Sequence, residues 1–112
     1  MKNKYFGDIN DYRKYGLIRA IFSSNRFSLL VAWMLTPDDS SNDGKRTDYL
    51  NKPDEWWRYD SELYKGLQRL MSNPRARNVR LIENTKLLPD AKYFSHEVPD
   101  PSKDRSDWFL DL

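Results

Sequence analysis

The stretch LLVAWMLTPDDSSNDG, from Leu29 to Gly44, decides the fold, because an apolar run leads directly into a loop rich in carboxylates. All residues from Leu29 to Leu35 are apolar and include strong strand formers, and Pro37 ends the regular structure. Such a run predicts an interior strand that is covered on both faces. Ligands of open α/β sheets bind beyond the carboxyl ends of the strands, so the acidic loop is the first candidate site.

Two helices are predicted on either side of this stretch. The first should begin after Asp8 or Asn10, because both are good N-caps. Its predicted apolar stripe consists of Tyr15, Ile18 and Phe22, widened by Leu17 and Ile21. The second helix should begin at Asp60 or Ser61 and end at Asn73. Helices before and after a buried strand are typical of α/β proteins.

Two more strands and a last helix complete the predicted order. Val79, Leu81 and Ile82 indicate a strand that ends at Glu83, and residues 91–95 indicate a short third strand. The order helix, strand, helix, strand, strand, helix predicts an α/β fold, a small sandwich of two or three layers with a short, partly parallel sheet. Residues 1–112 are expected to form one small domain, because 112 residues suffice for a single core.

The C-terminal segment is predicted to be a helix with an apolar end. Ser102 is a suitable cap, and Trp108, Phe109, Leu110 and Leu112 supply the apolar residues. A terminal helix must bury its apolar face, so docking on the core is one interpretation. The other is a binding surface for a partner, including a second copy of the chain in a homodimer.

Composition excludes several classes of site. The chain has no cysteine, which excludes disulfides, thiolate zinc sites and cysteine nucleophiles, and His96 is its only histidine. No run approaches the roughly 20 apolar residues of a membrane span, and no signal-type region follows the first residues. We therefore expect a cytoplasmic protein that does not enter a membrane. The net charge of +2 is too small to argue for nucleic acid.

Four motifs together resemble the N-terminal half of an uncharacterised family of bacterial and phage proteins. The motifs are KYFGDINDYRKYGLIR (4–19), WMLTPDDSSNDG (33–44), WRYDSELYKGLQRL (57–70) and RNVRLIENTKLLP (77–89). Longer members of that family continue into a strand with an Asp-Pro-Asp-Asn-Gly motif and are similar to S-adenosylmethionine-dependent methyltransferases. The resemblance implies a truncated Rossmann-like half in which one wall of the site of the longer proteins is missing.

The candidate ligand-binding residues are those of the acidic loop together with the end of the second predicted strand. The resemblance points to Asp38, Asp39, Asn42, Asp43, Gly44 and Glu83 as positions that could line a site of the family, and also to Asp8. The loop carboxylates Asp38, Asp39 and Asp43 suggest a weak Mg²⁺ site, and Glu83 could accept hydrogen bonds from a ribose. Ordinary turn chemistry explains the loop residues as well.

These residues leave an enzyme domain as the alternative function, with Mg²⁺, a nucleotide or S-adenosylmethionine bound at the loop 38–44. The chain contains no glycine-rich phosphate loop and no nucleophile elbow. No residue is therefore assigned a catalytic role, and the favoured expectation is a protein without a cofactor and without enzyme activity.

An aromatic segment supplies the candidate partner-binding residues. They are Trp56, Trp57, Arg58 and Tyr59, with Trp108 and Phe109 as possible members of the same exposed surface. The segment 51–59 is predicted to be a loop that covers other residues. Trp, Tyr and Arg dominate the binding energy of protein interfaces, whereas stacking of nucleic-acid bases on these rings is a less favoured interpretation.

The expected function is that of a small non-catalytic binding protein of phage or mobile-element origin. It would act through contact with a host protein, and inhibition of a host defence system fits its size and its resemblance to phage proteins. This expectation depends on the missing catalytic motifs and on the interface-type aromatic residues.

Overall fold

The computed structural model describes residues 1–23, 28–99 and 105–111. Its longer elements are the helices α1 (Ile9–Phe22), α2 (Pro53–Trp56), α3 (Ser61–Leu70) and α4 (Arg105–Leu110) and the strands β1 (Leu30–Ala32) and β2 (Lys92–Phe94). The described residues also form short 3₁₀ helices at Asn3–Tyr5, Asp48–Asn51, Trp57–Tyr59, Pro74–Ala76 and Val79–Asn84. The segment 51–59, predicted as a loop, is therefore largely helical.

The two strands pair in parallel and form a short sheet. The register joins Leu30 to Lys92, Val31 to Tyr93 and Ala32 to Phe94. A parallel bridge between Leu35 and Glu97 extends the pairing beyond the strands. The predicted mixture of helices with a short parallel sheet is thus confirmed, and β2 lies within the predicted third strand. A Rossmann-like arrangement stays a prediction.

The prediction that residues 29–35 form an interior strand covered on both faces is wrong. β1 is only three residues long, and the side chains of Leu30 and Met34 are 53% and 48% exposed. Met34 has a φ of 51°, which is incompatible with an extended strand and separates Ala32 from the bridge at Leu35. In the described part of the chain the sheet has two strands, so β1 is an edge strand and not an interior one.

The strand predicted to end at Glu83 is absent, because residues 79–84 form a 3₁₀ helix. The Asn78 side chain accepts the backbone N–H of Arg80 at 2.9 Å and turns the chain at this point. Val79 and Ile82 are both completely buried. A separation of three residues places them on one side of a 3₁₀ helix, so the same apolar residues bury without a strand.

Both predicted helix starts are confirmed. Asp8 caps α1, with its Oδ1 accepting the backbone N–H of Asp11 at 3.0 Å. Asp60 caps α3 in the same way by accepting the N–H of Leu63 at 3.1 Å. The proposed cap of the last helix, Ser102, lies outside the described residues, as does Leu112.

The predicted apolar stripe of α1 is only partly correct. Tyr12 and Tyr15 are buried, whereas Leu17 and Ile21 are 63% and 53% exposed. Successive residues of an α-helix are about 100° apart, so Leu17 points almost opposite to Tyr15. Leu17 and Ile21 therefore do not widen the buried stripe but form an apolar ridge on the other side of α1.

Three tyrosines form the centre of the core and connect distant parts of the chain. The ring centroids of Tyr12, Tyr49 and Tyr64 are 5.4 to 6.2 Å apart. Each hydroxyl donates to a backbone carbonyl: Tyr12 to Trp56 at 2.7 Å, Tyr49 to Gly7 at 2.7 Å and Tyr64 to Tyr49 at 2.9 Å. Large rings supply the apolar contact while their polar ends stay satisfied, which suits a small core with few aliphatic residues.

Candidate functional site

The acidic loop lies against the N-terminal residues. The ammonium group of Lys4 pairs with Asp39 and also donates to the Ser41 carbonyl at 3.0 Å and the Ser41 Oγ at 2.7 Å. Asp38 accepts the backbone N–H of Lys4 at 3.3 Å. Hydrogen bonds from the Lys4 side chain hold the pKa of the Asp39 carboxyl well below its usual range. A lysine of the chain itself therefore compensates the charge at the centre of the loop.

The other loop residues make local hydrogen bonds. Asp43 accepts from the Ser41 Oγ at 3.3 Å, and Asn42 accepts from the Lys45 ammonium at 3.1 Å. Gly44 has a φ of 82°, and a Cβ built there would lie 2.6 Å from the carbonyl oxygen of Lys4. Within residues 1–23, 28–99 and 105–111, no three His, Asp or Glu side chains are grouped to hold a metal ion. The three carboxylates predicted as metal ligands are not brought together as such a group.

Glu83 occupies a separate position in the 3₁₀ helix 79–84. Its Oε1 accepts the indole N–H of Trp33 at 2.9 Å and a hydrogen bond from the Ser95 hydroxyl. No hydrogen bond or ion pair of the described chain joins it to the loop 38–44. Glu83 thus connects the 3₁₀ helix to Trp33 and Ser95, the residues directly after β1 and β2. The predicted ligand residues do not converge on one site.

The residues of the aromatic segment line two different clefts. Trp57 and Arg58 line one cleft, of about 610 Å³, together with residues of α3. The other, of about 410 Å³, is lined by Tyr12, Arg13, Gly16, Trp56, Tyr59 and Asp60 and is called the aromatic cleft below. The structure thus separates Trp56 and Tyr59 from their neighbours in the sequence and combines them with residues of α1.

Hydrogen bonds fix the walls of the aromatic cleft. The Tyr12 hydroxyl donates to the Trp56 carbonyl and accepts the backbone N–H of Asp60 at 3.0 Å. The carboxylate of Asp60 accepts from Arg19 Nε at 2.7 Å. Burial raises the pKa of the Tyr12 hydroxyl, which therefore stays protonated near neutral pH and keeps its role as a donor.

Arg13 provides a cation at the edge of the aromatic cleft. Its guanidinium lies 5.5 Å from the centroid of the Trp56 ring. Among the ion pairs of the described residues, none involves Arg13. Arg58 is similarly placed, 5.3 Å from the ring of Tyr59. The cleft thus combines aromatic surface with a positive charge that forms no ion pair with a carboxylate of the described residues.

The exposed ridge of α1 runs beside this cleft. Leu17 follows Gly16, a cleft residue, and it lies one turn after Arg13 and one turn before Ile21. We call the exposed side of the helix, Arg13, Lys14, Leu17, Ala20 and Ile21, the α1 face. Sequence reasoning missed this surface because the apolar residues on it were assigned to the core. The i, i+4, i+8 spacing of Arg13, Leu17 and Ile21 places them on one side of the helix, but it does not tell whether that side is buried or exposed.

The two partner-binding candidates near the C-terminus, Trp108 and Phe109, differ in exposure. Trp108 is a core residue, only 5% exposed, and its indole N–H donates to the His96 carbonyl at 3.0 Å. Its ring packs against Phe94, with centroids 5.4 Å apart. The expectation that Trp108 belongs to an exposed surface is therefore wrong, and α4 docks on the fold through this residue. Phe109 and Leu110 stay exposed.

Comparisons of the chain with protein families, with curated proteins and with solved structures find no match. The resemblance to bacterial and phage proteins therefore stays a prediction. No helix within the described part of the chain is long and apolar enough to span a membrane.

Proposed function

We propose that this protein is a small non-catalytic binding protein that acts through protein–protein contact at the α1 face and the aromatic cleft. The observation that carries this proposal is the exposed pair Leu17 and Ile21 beside a cleft lined by Trp56 and Tyr59. Exposed apolar side chains that adjoin a shaped cleft are typical of partner-binding surfaces. Inhibition of a host defence protein is the use of such contact that the resemblance to phage proteins suggests.

The chemistry of this surface favours tight contact. Trp, Tyr and Arg are the side chains that most often dominate binding energy, and Trp56, Tyr59 and Arg13 lie together at the cleft. Burial of apolar surface contributes about 25 cal/mol per Å². The hydrogen bonds of Tyr12 and Asp60 hold the cleft open without a partner, which lowers the cost of ordering it on binding.

The alternative function, a Mg²⁺-dependent or nucleotide-binding enzyme at the loop 38–44, has less support. An added cation would compete with the Lys4 ammonium for Asp39. We expect that neither Mg²⁺ with ATP nor S-adenosylmethionine raises the melting temperature. A rise in melting temperature that disappears in Asp39→Ala would favour the alternative, because a ligand raises the melting temperature only when it binds the folded state.

The proposal is tested by affinity selection with matched surface variants. The tagged protein is incubated with a bacterial lysate beside a Leu17→Ser, Ile21→Ser variant and a Phe109→Ser, Leu110→Ser control. Both pairs are exposed and apolar, but only the first belongs to the α1 face. We expect a specific partner to be retained by the wild type and the control and reduced about tenfold for the first variant, a loss of about 1.4 kcal/mol. Equal retention by all three proteins would contradict the proposal.

A further inference from the structure

We propose that the α1 face binds an amphipathic helix of a partner protein, which carries apolar residues against Leu17 and Ile21 and an acidic side chain against Arg13. This inference rests on the proposed function and specifies the partner's chemistry. It follows from the shape of the surface and from the distribution of charge on it.

The shape matches a helix. Leu17 and Ile21 form a ridge, and clefts lie on both sides of it: the aromatic cleft beside Gly16, and one of about 280 Å³ beside Ile18 and β1. Ile21 lies eight positions after Arg13, or about 12 Å along the helix axis, which is about two helical turns. Helices pack by inserting the ridge of one into the groove of another, so this surface suits a second helix more closely than a flat partner.

The absence of a side chain at Gly16 shapes the groove on one side. A Cβ built at Gly16 would meet only Leu63, at an ordinary distance of 3.9 Å, so core packing does not require glycine there. Glycine instead leaves space between the ridge and the ring of Trp56 or Tyr59. A large apolar side chain of the partner helix fits this space, in the manner of a helix that binds an apolar groove through residues three or four apart.

The exposed charges of α1 are all positive. The exposed side chains of α1 comprise two cations, Arg13 and Lys14, and no carboxylate. Lys14 already pairs with Asp11 at 3.0 Å, whereas Arg13 makes no ion pair among the described residues. The nearest carboxylate of the cleft, Asp60, is bound to Arg19. An acidic residue of the partner is therefore the complement that Arg13 lacks.

The same surface is less suited to single-stranded nucleic acid. The rings of Trp56 and Tyr59 could stack on bases, but the adjoining ridge of Leu17 and Ile21 offers apolar side chains where a phosphate backbone requires cations. A protein helix uses the ridge, the cleft and Arg13 at once, whereas a nucleic acid uses only part of them.

A displayed library of helical peptides with one randomised face tests this inference. The library is selected against the wild-type protein, and each enriched peptide is then measured for binding to the Leu17→Ser, Ile21→Ser variant. We expect enriched peptides to carry apolar residues three or four apart with Asp or Glu beside them. Peptides without this spacing, or with basic residues in place of acidic ones, would overturn the inference.

A charge exchange tests the role of Arg13 separately from folding. Arg13→Glu should weaken binding of an enriched acidic peptide about tenfold, and replacing the acidic residue of the peptide by Lys should restore it. Arg13 is exposed, so the variant should keep the circular dichroism spectrum of the wild type. Loss of binding without rescue, or no loss at all, would contradict an Arg13–carboxylate contact.

The outcomes separate this inference from the proposed function. If no helical peptide is enriched while a protein partner still depends on Leu17 and Ile21, the inference fails and the proposed function stands. If enriched peptides bind the Leu17→Ser, Ile21→Ser variant as tightly as the wild type, they bind elsewhere and the inference fails. Equal retention of a lysate partner by this variant and the wild type would make the proposed function fail. Binding of a labelled 16-nucleotide oligothymidine that is lost in Tyr59→Ala would favour nucleic acid and overturn the inference.

Discussion

Asp60 connects three parts of the chain through one carboxylate. Its Oδ1 caps α3 at Leu63, and its Oδ2 accepts from Arg19 of α1 at 2.7 Å. The guanidinium of Arg19 continues to the carbonyl oxygen of Leu87 at 2.5 Å. Because Asp60 also lines the aromatic cleft, the residue that stabilises the contact between α1 and α3 also positions one wall of the candidate site.

Replacement of Asp60 should therefore be costly. Asp60→Ala removes the helix cap and the partner of Arg19, and we expect the free energy of unfolding to fall by about 2 kcal/mol. Asp60→Asn keeps one carbonyl oxygen for the cap and should lose about half as much. Urea denaturation of the two variants checks this order. Equal losses would show that the cap contributes nothing.

The Lys4–Asp39 pair predicts how stability depends on pH. The folded protein holds the pKa of Asp39 below its ordinary value of 3.8, mainly through the hydrogen bond from Lys4. As the pH falls through 3.8, the unfolded chain binds a proton at Asp39 before the folded chain does, so this contribution to stability is present above that pH and lost below it.

Asp39→Asn removes this contribution at all pH values. Between pH 6 and pH 3 we expect the urea midpoint of this variant to fall less than that of the wild type. Asp43→Asn is the matched control, because Asp43 lies in the same loop and makes no ion pair among the described residues. An equal fall in the wild type and in Asp39→Asn would contradict the prediction.

The elements of this fold differ in how far the sequence predicts them. The starts of α1 and α3 are predictable because a cap acts within three residues, as Asp8 and Asp60 do. The 3₁₀ helix 79–84 is not, because a short apolar run suits a strand and a helix equally until its neighbours are known. The length of β1 depends on β2, about 60 residues later in the chain, and that pairing has no local signal.

Two glycines allow a matched test of helix packing. An alanine Cβ at Gly66 of α3 would lie 2.6 Å from Leu87 Cδ1, whereas at Gly16 of α1 the nearest atom is Leu63 Cδ2 at 3.9 Å. Gly66→Ala should lower the free energy of unfolding by about 1 to 2 kcal/mol through overpacking. Gly16→Ala should raise it by up to about 1 kcal/mol, because alanine favours the helix and meets no clash. Urea denaturation measures both free energies of unfolding. A change of the same sign in Gly66→Ala and Gly16→Ala would contradict this prediction.

The candidate site arises only at the scale of the whole molecule. Sequence reasoning named Trp56 and Tyr59 as partner-binding residues, since aromatic residues next to arginine suggest an interface. It did not name Tyr12, Arg13 or Gly16, because only the folded chain brings residues about 40 positions apart into one cleft. Nor could a helical period decide which apolar side of α1 faces the core, since both sides are apolar.

If a partner helix binds the α1 face and the aromatic cleft as proposed, amide chemical shifts locate the contact residue by residue. The ¹⁵N-labelled protein is titrated with an enriched helical peptide, and the shifts are assigned along the chain. We predict that the largest changes fall in residues 10–21 and 56–60. Largest changes in the acidic loop 38–44, or around the exposed residues Phe109 and Leu110, would contradict it.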